Sequence, residues 1–158
     1  MKLVSAIILI TISAENNSDI ITGDIDNVYL NTNTELNIYT HAVTEFELVD
    51  IIYEEGLLEV AKALYGLPTS GNRWHVHIFH TLRAIRFNPT RFDPDVWIRG
   101  GEGGCDYIGA HIDNDIVVAV KPTYIFNKLK DTYKIKAFVP PKVHIGCDYL
   151  KFKKGTTN

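Results

Sequence analysis

The sequence predicts an α+β fold, in which an antiparallel sheet of about four strands is backed by two or three helices. Residues 107–120 have the pattern of strand, tight turn and strand, because β-branched apolar runs flank a group of Asp and Asn side chains. Apolar residues recur at helical spacing from Trp74 onward and again after Pro122. A small antiparallel sheet packed on amphipathic helices would therefore carry the acidic side chains of the turn.

Length and composition are typical of one ordinary core, so a single domain over residues 1–158 is the expectation. The chain has 158 residues and is 46% hydrophobic, and no Pro-, Ser- or Gly-rich stretch divides it. The formal net charge of −3 gives no overall basic field. Nucleic-acid binding would therefore depend on local patches or on parts of a larger protein.

The N-terminal 14 residues have two interpretations. One Lys, an apolar run and small residues near its end are typical of a secretory leader, although the run is too short to span a bilayer. The same residues fit a largely buried helix that ends near Asn16 and Asn17. We favour the buried helix, and we expect an intracellular protein, cytoplasmic or nuclear, that is neither secreted nor bound to a membrane.

Asp24 ends the strand-like run of residues 19–24. A carboxylate at that point is backed by rigid backbone and faces a cleft, which is a common place for ligands in mixed sheets. The alternative is an Asp that caps the following turn. Farther along, residues 35–40 and 51–63 contain strand-like runs that we expect to pair as a hairpin.

A loop rich in Gly and Pro, residues 63–71, leads into the helix of Trp74. Thr69 or Ser70 could cap this helix. The exposed N–H groups of its first turn would then form a local anion site beside Arg73.

Side chains that often bind zinc do not form a zinc pattern in this sequence. His75 and His77 point apart on a helix, and no acid or Cys stands at the spacing that zinc requires. Surface or partly packed histidines, including His80, are therefore favoured over a metal cluster. Cys105 and Cys147 lack CxxC spacing, which indicates ordinary thiols in a reducing compartment.

The hairpin of residues 107–120 carries Asp113, Asn114 and Asp115 at its turn. Carboxylates on a rigid hairpin suit a hard divalent cation such as Mg²⁺, provided that another carboxylate comes from elsewhere in the chain. The alternative is a solvated Asp–Asn turn in a two-stranded ribbon.

Three further elements complete the prediction. Residues 96–99 form a strand before the hairpin, an amphipathic helix begins at Pro122, and a last strand covers residues 143–152. Several lysines could form a basic patch, although a solvated face is the favoured interpretation. They are Lys128, Lys130, Lys134, Lys151, Lys153 and Lys154.

Four stretches, in this order, resemble the reverse transcriptase domain of copia-type LTR retrotransposons. Residues 23–31, Gly-Asp-Ile-Asp-Asn-Val-Tyr-Leu-Asn, are similar to the family's motif around its first catalytic Asp. Residues 62–74 contain Lys-Ala-Leu-Tyr-Gly-Leu and end in Arg-Trp, which is the most specific of the four likenesses. Residues 87–97, with Asp-Pro-Asp-Val-Trp, and residues 143–149, with Ile-Gly-Cys-Asp, are similar to two later motifs. The likeness covers nearly the whole chain.

The resemblance implies an RNA-directed DNA polymerase that works by two-metal nucleotidyl transfer. Its catalytic carboxylates would be Asp24 and Asp113, since Asp113 falls on the first Asp of the family's aromatic-x-Asp-Asp hairpin. Both would bind Mg²⁺ or Mn²⁺, with the Ile25 carbonyl as a further ligand. The implied partners are an RNA or DNA template-primer and a deoxynucleoside triphosphate.

The resemblance also assigns nucleic-acid or nucleotide contacts. Gly66, Thr69 and Arg73 would lie under the template and the nascent base pair, and Gly146 near the primer end. Thr69 stands where the family commonly has Gln.

The hairpin departs from the family's pattern in two places. Asn114 replaces the second Asp and offers one neutral oxygen in place of a charged carboxylate. Asp115 cannot simply take its place, because adjacent strand residues point to opposite faces unless a bulge or a turn redirects them. His111 replaces the usual Tyr.

By this resemblance the chain is a partial domain, a palm with remnant fingers that lacks the thumb and RNase H regions. We therefore expect a polymerase that is weak or inactive alone, and whose partners include other segments of a larger polyprotein. The alternative is a non-catalytic, palm-derived structural or interaction protein.

Overall fold

The computed structural model describes residues 1–34, 37–41, 57–101, 103–112, 114–141, 143–144 and 147–148. The chain divides into two compact units. The first unit contains residues 1–26 and 81–158, and the second contains residues 27–80.

The described elements are three α-helices, one 3₁₀ helix and ten strands. In chain order they are α1 (Leu3–Asn16), β1 (Asp19–Ile25), a 3₁₀ helix (Val28–Asn31), β2 (Tyr39–His41), β3 (Leu57–Glu59), α2 (Ser70–Ala84), β4 (Asn88–Pro89), β5 (Val96–Gly101), β6 (Gly104–Gly109), β7 (Asn114–Ala119), α3 (Pro122–Lys130), β8 (Ile135–Val139), β9 (Val143–His144) and β10 (Cys147–Asp148).

The first unit is built on a six-stranded sheet with the strand order β4-β5-β6-β7-β1-β8. Every neighbouring pair is antiparallel. With the three α-helices of the described chain, this sheet confirms the α+β prediction. It is wider than the four strands expected, because β4 and β8 were not identified in the sequence.

The two faces of this sheet are covered by different helices. On one face, Leu9 of α1 packs with Val96, Ile116 and Val118 in a buried apolar cluster. On the other face, α3 packs on β1, β7 and β8. The apolar run of β7 is therefore buried on both sides of the sheet, and β1 is held between β7 and β8.

Helix α1 forms where it was predicted and ends with Asn17 in the left-handed conformation. Its expected burial was wrong, because an apolar stripe is exposed. The stripe consists of Leu3, Val4, Ile7 and Ile8.

The face of α1 that is buried instead contains Ser5, Ala6, Leu9 and Ser13. The two hydroxyls can be buried because each has an acceptor: Ser5 donates to Asp93, and Ser13 to the carbonyl of Ser18. No helix within the described residues has the length and apolar character needed to cross a bilayer.

The second unit contains the predicted hairpin as the antiparallel pair β2–β3, with Thr40 opposite Leu58. The parts of the predicted runs at residues 35–36 and 51–56 lie outside the described residues. After β3, the Ala63 N–H donates to the carbonyl of Thr32 at 3.0 Å, which joins this segment to the end of the 3₁₀ helix. Helix α2 begins in this unit, with Trp74 and Ile78 buried as predicted.

The predicted last strand, residues 143–152, is not a single strand where it is described. Two-residue strands β9 and β10 pair with each other, with Cys147 opposite His144. Because this pairing is antiparallel, the described residues do not form the expected straight run. Residues 149–152 lie outside the described part of the chain.

Candidate catalytic and metal-binding site

Strand β1 positions Asp24 close to its end, as the sequence predicted. The neighbouring Ile25 is buried at 1% exposure and anchors the strand end, whereas the Asp24 side chain is 41% exposed. The carboxylate is thus held by a central strand and remains open to solvent. This combination of rigid backbone and access suits a ligand-binding carboxylate.

The predicted hairpin is formed by β6 and β7, and its end lies beside Asp24. In the β1–β7 ladder, the Cα partner of Asp24 is Asn114. The connection contains Ile112 with a positive φ of 48°, a turn conformation that is uncommon for a β-branched residue. Asp113 lies outside the described residues, so the pairing of Asp24 with Asp113 stays a prediction.

Asp115 lies on the face of the sheet that α3 covers. Its Cα partner is Gly23, and it is 1% exposed, in contrast to Asp24. Asp115 also influences Tyr133. Burial raises the pKa of Tyr133 to about 12; the charge of Asp115 contributes to this rise, and a hydrogen bond with Thr81 opposes it. Asp115 therefore does not supply a solvent-facing carboxylate beside Asp24.

Two residues that the sequence analysis did not assign to the site, Asp26 and Lys136, lie next to Asp24. The Lys136 Nζ is 3.0 Å from Asp26 Oδ1 and 3.5 Å from Asp24 Oδ2. A third, Lys134, places its Nζ 3.3 Å from Asp26 Oδ2. The Asp26 N–H also donates to the Lys134 carbonyl at 2.8 Å, which extends the β1–β8 pairing past the end of β1.

A β-bulge in β8 explains why Lys136 reaches both carboxylates. Gly23 pairs with Phe138 and Ile25 pairs with Ile135, so two residues of β8 stand opposite Asp24. Bulges twist a strand locally and change the direction of a side chain. The signal in the sequence is the pair of alternating runs Asp-Ile-Asp and Lys-Ile-Lys, at residues 24–26 and 134–136.

The pKa values in this cluster follow from the ion pairs. The hydrogen bond from Lys136 lowers the pKa of Asp26 below its ordinary value, and Lys134 lowers it further, although burial opposes both. The hydrogen bond to Asp26 and the charge of Asp24 raise the pKa of Lys136. The carboxylate of Asp26 and the ammonium of Lys136 are therefore ionised at neutral pH.

The donor set at this point suits a cation, because an ammonium already lies between two carboxylates at ion-pair distances. Oxygen ligands of this kind are those that Mg²⁺ and Mn²⁺ prefer, and Mg²⁺ is often held by one or two carboxylates together with substrate phosphates. Within the described residues, which do not include Asp113, no group of three or more His, Cys, Asp or Glu could hold a metal ion. The described part of the site thus supplies two carboxylates, those of Asp24 and Asp26.

The second unit contains three of the four residues predicted to contact nucleic acid. Gly66 has a φ of 92°, a conformation that side chains rarely adopt, and lies in an exposed turn. Thr69 precedes α2, and its carbonyl accepts the Arg73 N–H at 3.0 Å. The Ser70 hydroxyl donates to the Leu64 carbonyl at 2.6 Å and so fixes the loop. Gly146, the fourth residue, lies outside the described part of the chain.

The three histidines of α2 are surface or partly packed, as the sequence analysis favoured. His75 and His80 are exposed, and His77 is half-buried with its ring stacked near Trp74, the centroids 6.1 Å apart. Burial lowers the pKa of His77, and the charges of His80 and Lys62 lower it further. His77 is therefore mainly neutral at pH 7.

Comparison with known proteins gives one finding and two negative results. A family profile described as reverse transcriptase (RNA-dependent DNA polymerase) matches residues 1–157. No curated protein and no solved structure matches the chain. Since the profile covers almost the entire sequence, the chain belongs to the reverse transcriptase (RNA-dependent DNA polymerase) family.

Proposed function

We propose that this chain is the palm part of a copia-type retrotransposon polymerase, with Asp24 and Asp113 as its catalytic carboxylates. One observation carries the proposal: Asn114, which directly follows Asp113, is the Cα partner of Asp24 in the β1–β7 ladder. Paired residues in an antiparallel ladder lie about 4.5–5.5 Å apart at Cα. We infer from this pairing that Asp113 comes to the end of the sheet at which Asp24 lies.

The proposed ligands of Mg²⁺ or Mn²⁺ are Asp24, Asp113 and the carbonyl of Ile25. When bound, the metal ions would lower the pKa of the primer 3′-hydroxyl and neutralise the phosphates of the incoming nucleotide. The chain itself contributes rigidity. Strand β1 lies between two neighbours, and the buried Ile25 side chain fixes its end, so the carboxylate of Asp24 is held in position before substrate arrives.

Asn114 makes this polymerase weak or inactive alone. An amide offers one neutral oxygen where the family has a charged carboxylate, so the site holds less negative charge for its cations. Asp115 is buried on the opposite face of the sheet and does not restore that charge.

The proposed partners are an RNA or DNA template-primer and a deoxynucleoside triphosphate. In the second unit, Arg73 lies in the first turn of α2, where a positive side chain and a helix N-terminus together favour phosphate. The turn at Gly66 and the loop residue Thr69 would form the adjoining surface. Gly146 is proposed to contact the primer end.

Primer extension on a primed RNA template tests this proposal. The wild-type chain is compared, with Mg²⁺ and with Mn²⁺, to Asp24→Ala, Asn114→Asp and the control Asp131→Ala, which removes an exposed carboxylate beyond α3. We expect weak extension, no extension with Asp24→Ala, and a rise of more than about tenfold with Asn114→Asp, because a metal-binding carboxylate is restored. Extension that survives Asp24→Ala would contradict the assignment.

The second candidate is a non-catalytic palm-derived structural or interaction protein. Two observations favour it: a neutral Asn114 replaces a family carboxylate, and the ammonium of Lys136 already pairs with Asp24. Under this alternative, neither the wild-type chain nor Asn114→Asp extends a primer.

A further inference from the structure

The ammonium of Lys136 lies at the position where a cation would meet Asp24. It bridges two carboxylates, at 3.0 Å from Asp26 Oδ1 and 3.5 Å from Asp24 Oδ2. An isolated surface ion pair stabilises a protein little. Here one positive charge offsets two negative charges that stand two residues apart in the sequence and would otherwise repel each other.

The backbone directs Lys136 to this position. The bulge in β8 places Lys136 and Ala137 opposite Asp24, whereas regular pairing would leave one residue there. The backbone at Asp26 is fixed in turn by its N–H, which donates to the Lys134 carbonyl at 2.8 Å. The bridge therefore depends on the register between β1 and β8, the last strand in the order of the described sheet.

We propose that Lys136 is the resident counter-cation of Asp24 and Asp26, and that a divalent cation binds Asp24 only when the Lys136 ammonium leaves. This inference rests on the proposed function, because it takes Asp24 to be a metal ligand. Exchange is sterically open, since the Lys136 side chain is 56% exposed and can turn into solvent. The chain would thus bind a divalent cation more weakly than its carboxylates permit.

Lys134 provides a matched control. It carries the same charge two residues away on the same strand end, but its ion pair is with Asp26, and its side chain is 84% exposed. Removing the charge of Lys134 changes the overall field as much as removing that of Lys136. Only Lys136 has an ion pair with Asp24 in the described part of the chain.

Manganese binding to the 158-residue chain is measured by the electron paramagnetic resonance signal of free Mn²⁺. The variants are Lys136→Met, which keeps an unbranched side chain without charge, Lys136→Arg, which keeps the charge, and Lys134→Met. We expect Lys136→Met to bind Mn²⁺ about tenfold more tightly than wild type, and Lys134→Met to change affinity by less than about threefold. Lys136→Arg should stay close to wild type. Equal affinities for Lys136→Met and wild type would overturn the inference.

Asp24→Asn separates this inference from the proposed function. Loss of Mn²⁺ binding in Asp24→Asn, with no gain in Lys136→Met, overturns the role of Lys136 and leaves the metal site intact. Unchanged Mn²⁺ binding in Asp24→Asn overturns both. If Lys136→Met does not fold, NMR of the wild-type chain tests the exchange instead. The Lys136 Cε resonance should shift when Mg²⁺ is added. A resonance that does not move while Mg²⁺ binds would contradict the exchange.

Discussion

Asp93 is predicted to hold the start of α1 in place, and its replacement by Ala tests this role. Its carboxylate is 2% exposed and accepts three hydrogen bonds. Oδ2 accepts the Lys2 N–H at 3.0 Å and the Ser5 hydroxyl at 2.5 Å, and Oδ1 accepts the Asp95 N–H at 3.1 Å. Lys2, the N-cap residue, makes no capping bond with its own side chain. A carboxylate that lies 91 residues away in the sequence therefore caps the helix.

The cost of Asp93→Ala follows from these contacts. Each donor left without an acceptor in a buried site costs on the order of 1 kcal/mol, so we expect a loss of about 3 kcal/mol in the free energy of unfolding at pH 7. That is a large share of the total for a chain of this size, since native proteins are stable by roughly 5–15 kcal/mol. Urea unfolding, followed by tryptophan fluorescence from the buried Trp74 and Trp97, measures this loss.

Acid should reduce the contribution of Asp93. Burial alone would raise the pKa of Asp93, but the hydrogen bonds from Ser5, Lys2 and Asp95, with the charge of the N-terminal amino group, bring it below its ordinary value. A carboxyl whose pKa is lower in the folded than in the unfolded chain stabilises the fold above its unfolded pKa. The difference between wild type and Asp93→Ala should therefore shrink as the pH falls below about 4 and through the lowered pKa.

Glu15→Ala serves as the control, because Glu15 is an exposed acid at the other end of α1. It should change the free energy of unfolding by less than about 0.5 kcal/mol. An Asp93→Ala chain as stable as wild type at pH 7, or a difference that stays constant down to pH 3, would refute the capping role.

Three further predictions concern other parts of the chain. Gly23→Ala should lower the free energy of unfolding by about 1–3 kcal/mol, because the added Cβ would lie 2.5 Å from Phe126 Cε1. Gly100→Ala is the control, because a Cβ added there meets nothing within 4 Å. Equal urea midpoints for the two variants would contradict the close packing of α3 on β1. Tyr133, with its pKa raised to about 12 by burial, should be missing from the tyrosine ionisation seen by ultraviolet absorbance near pH 10. Because that pKa is raised in the folded chain, the free energy of unfolding should fall as the pH rises from about 10 to 12. Tyr133→Phe should remove the late ionisation from the titration. A titration that Tyr133→Phe leaves unchanged would contradict the raised pKa of Tyr133. His77, whose pKa is lowered mainly by burial, should titrate below 6.5 by NMR, and a midpoint at or above that value would contradict its partial burial.

Local patterns were enough to predict the main elements. The β-branched runs around the Asp–Asn turn gave the β6–β7 hairpin, and apolar spacing gave α2 and α3 with their buried faces. These signals are local because strand alternation and helix periodicity depend on neighbouring residues. The position of Asp24 near the end of a strand could be foreseen for a similar reason.

Contacts between distant residues could not be predicted in this way. Strand β8 was missed because a short run between a helix and Pro140 gains its strand conformation from pairing with β1. Lys136 was missed as a site residue for the same reason, since its approach to Asp24 depends on the bulge in that pairing. The capping of α1 by Asp93 also depends on tertiary structure.

The exposed stripe of α1 shows a different limit. Apolar content predicted that Leu3, Val4, Ile7 and Ile8 would be buried, yet the helix faces the sheet with smaller residues. Hydrophobicity indicates which residues favour burial but does not decide which helix face meets the sheet.

The central claim is that Asp24 and the hairpin residue Asp113 bind the same cation. Mn²⁺ added to the isotope-labelled chain broadens the NMR signals of nuclei close to the metal ion. We predict that the amide signals of residues 24–26 and 112–114 broaden together at the same Mn²⁺ concentration, and that Asp24→Asn abolishes the broadening of both segments. Broadening of only one segment, or broadening of both that persists in Asp24→Asn, would contradict the shared metal site.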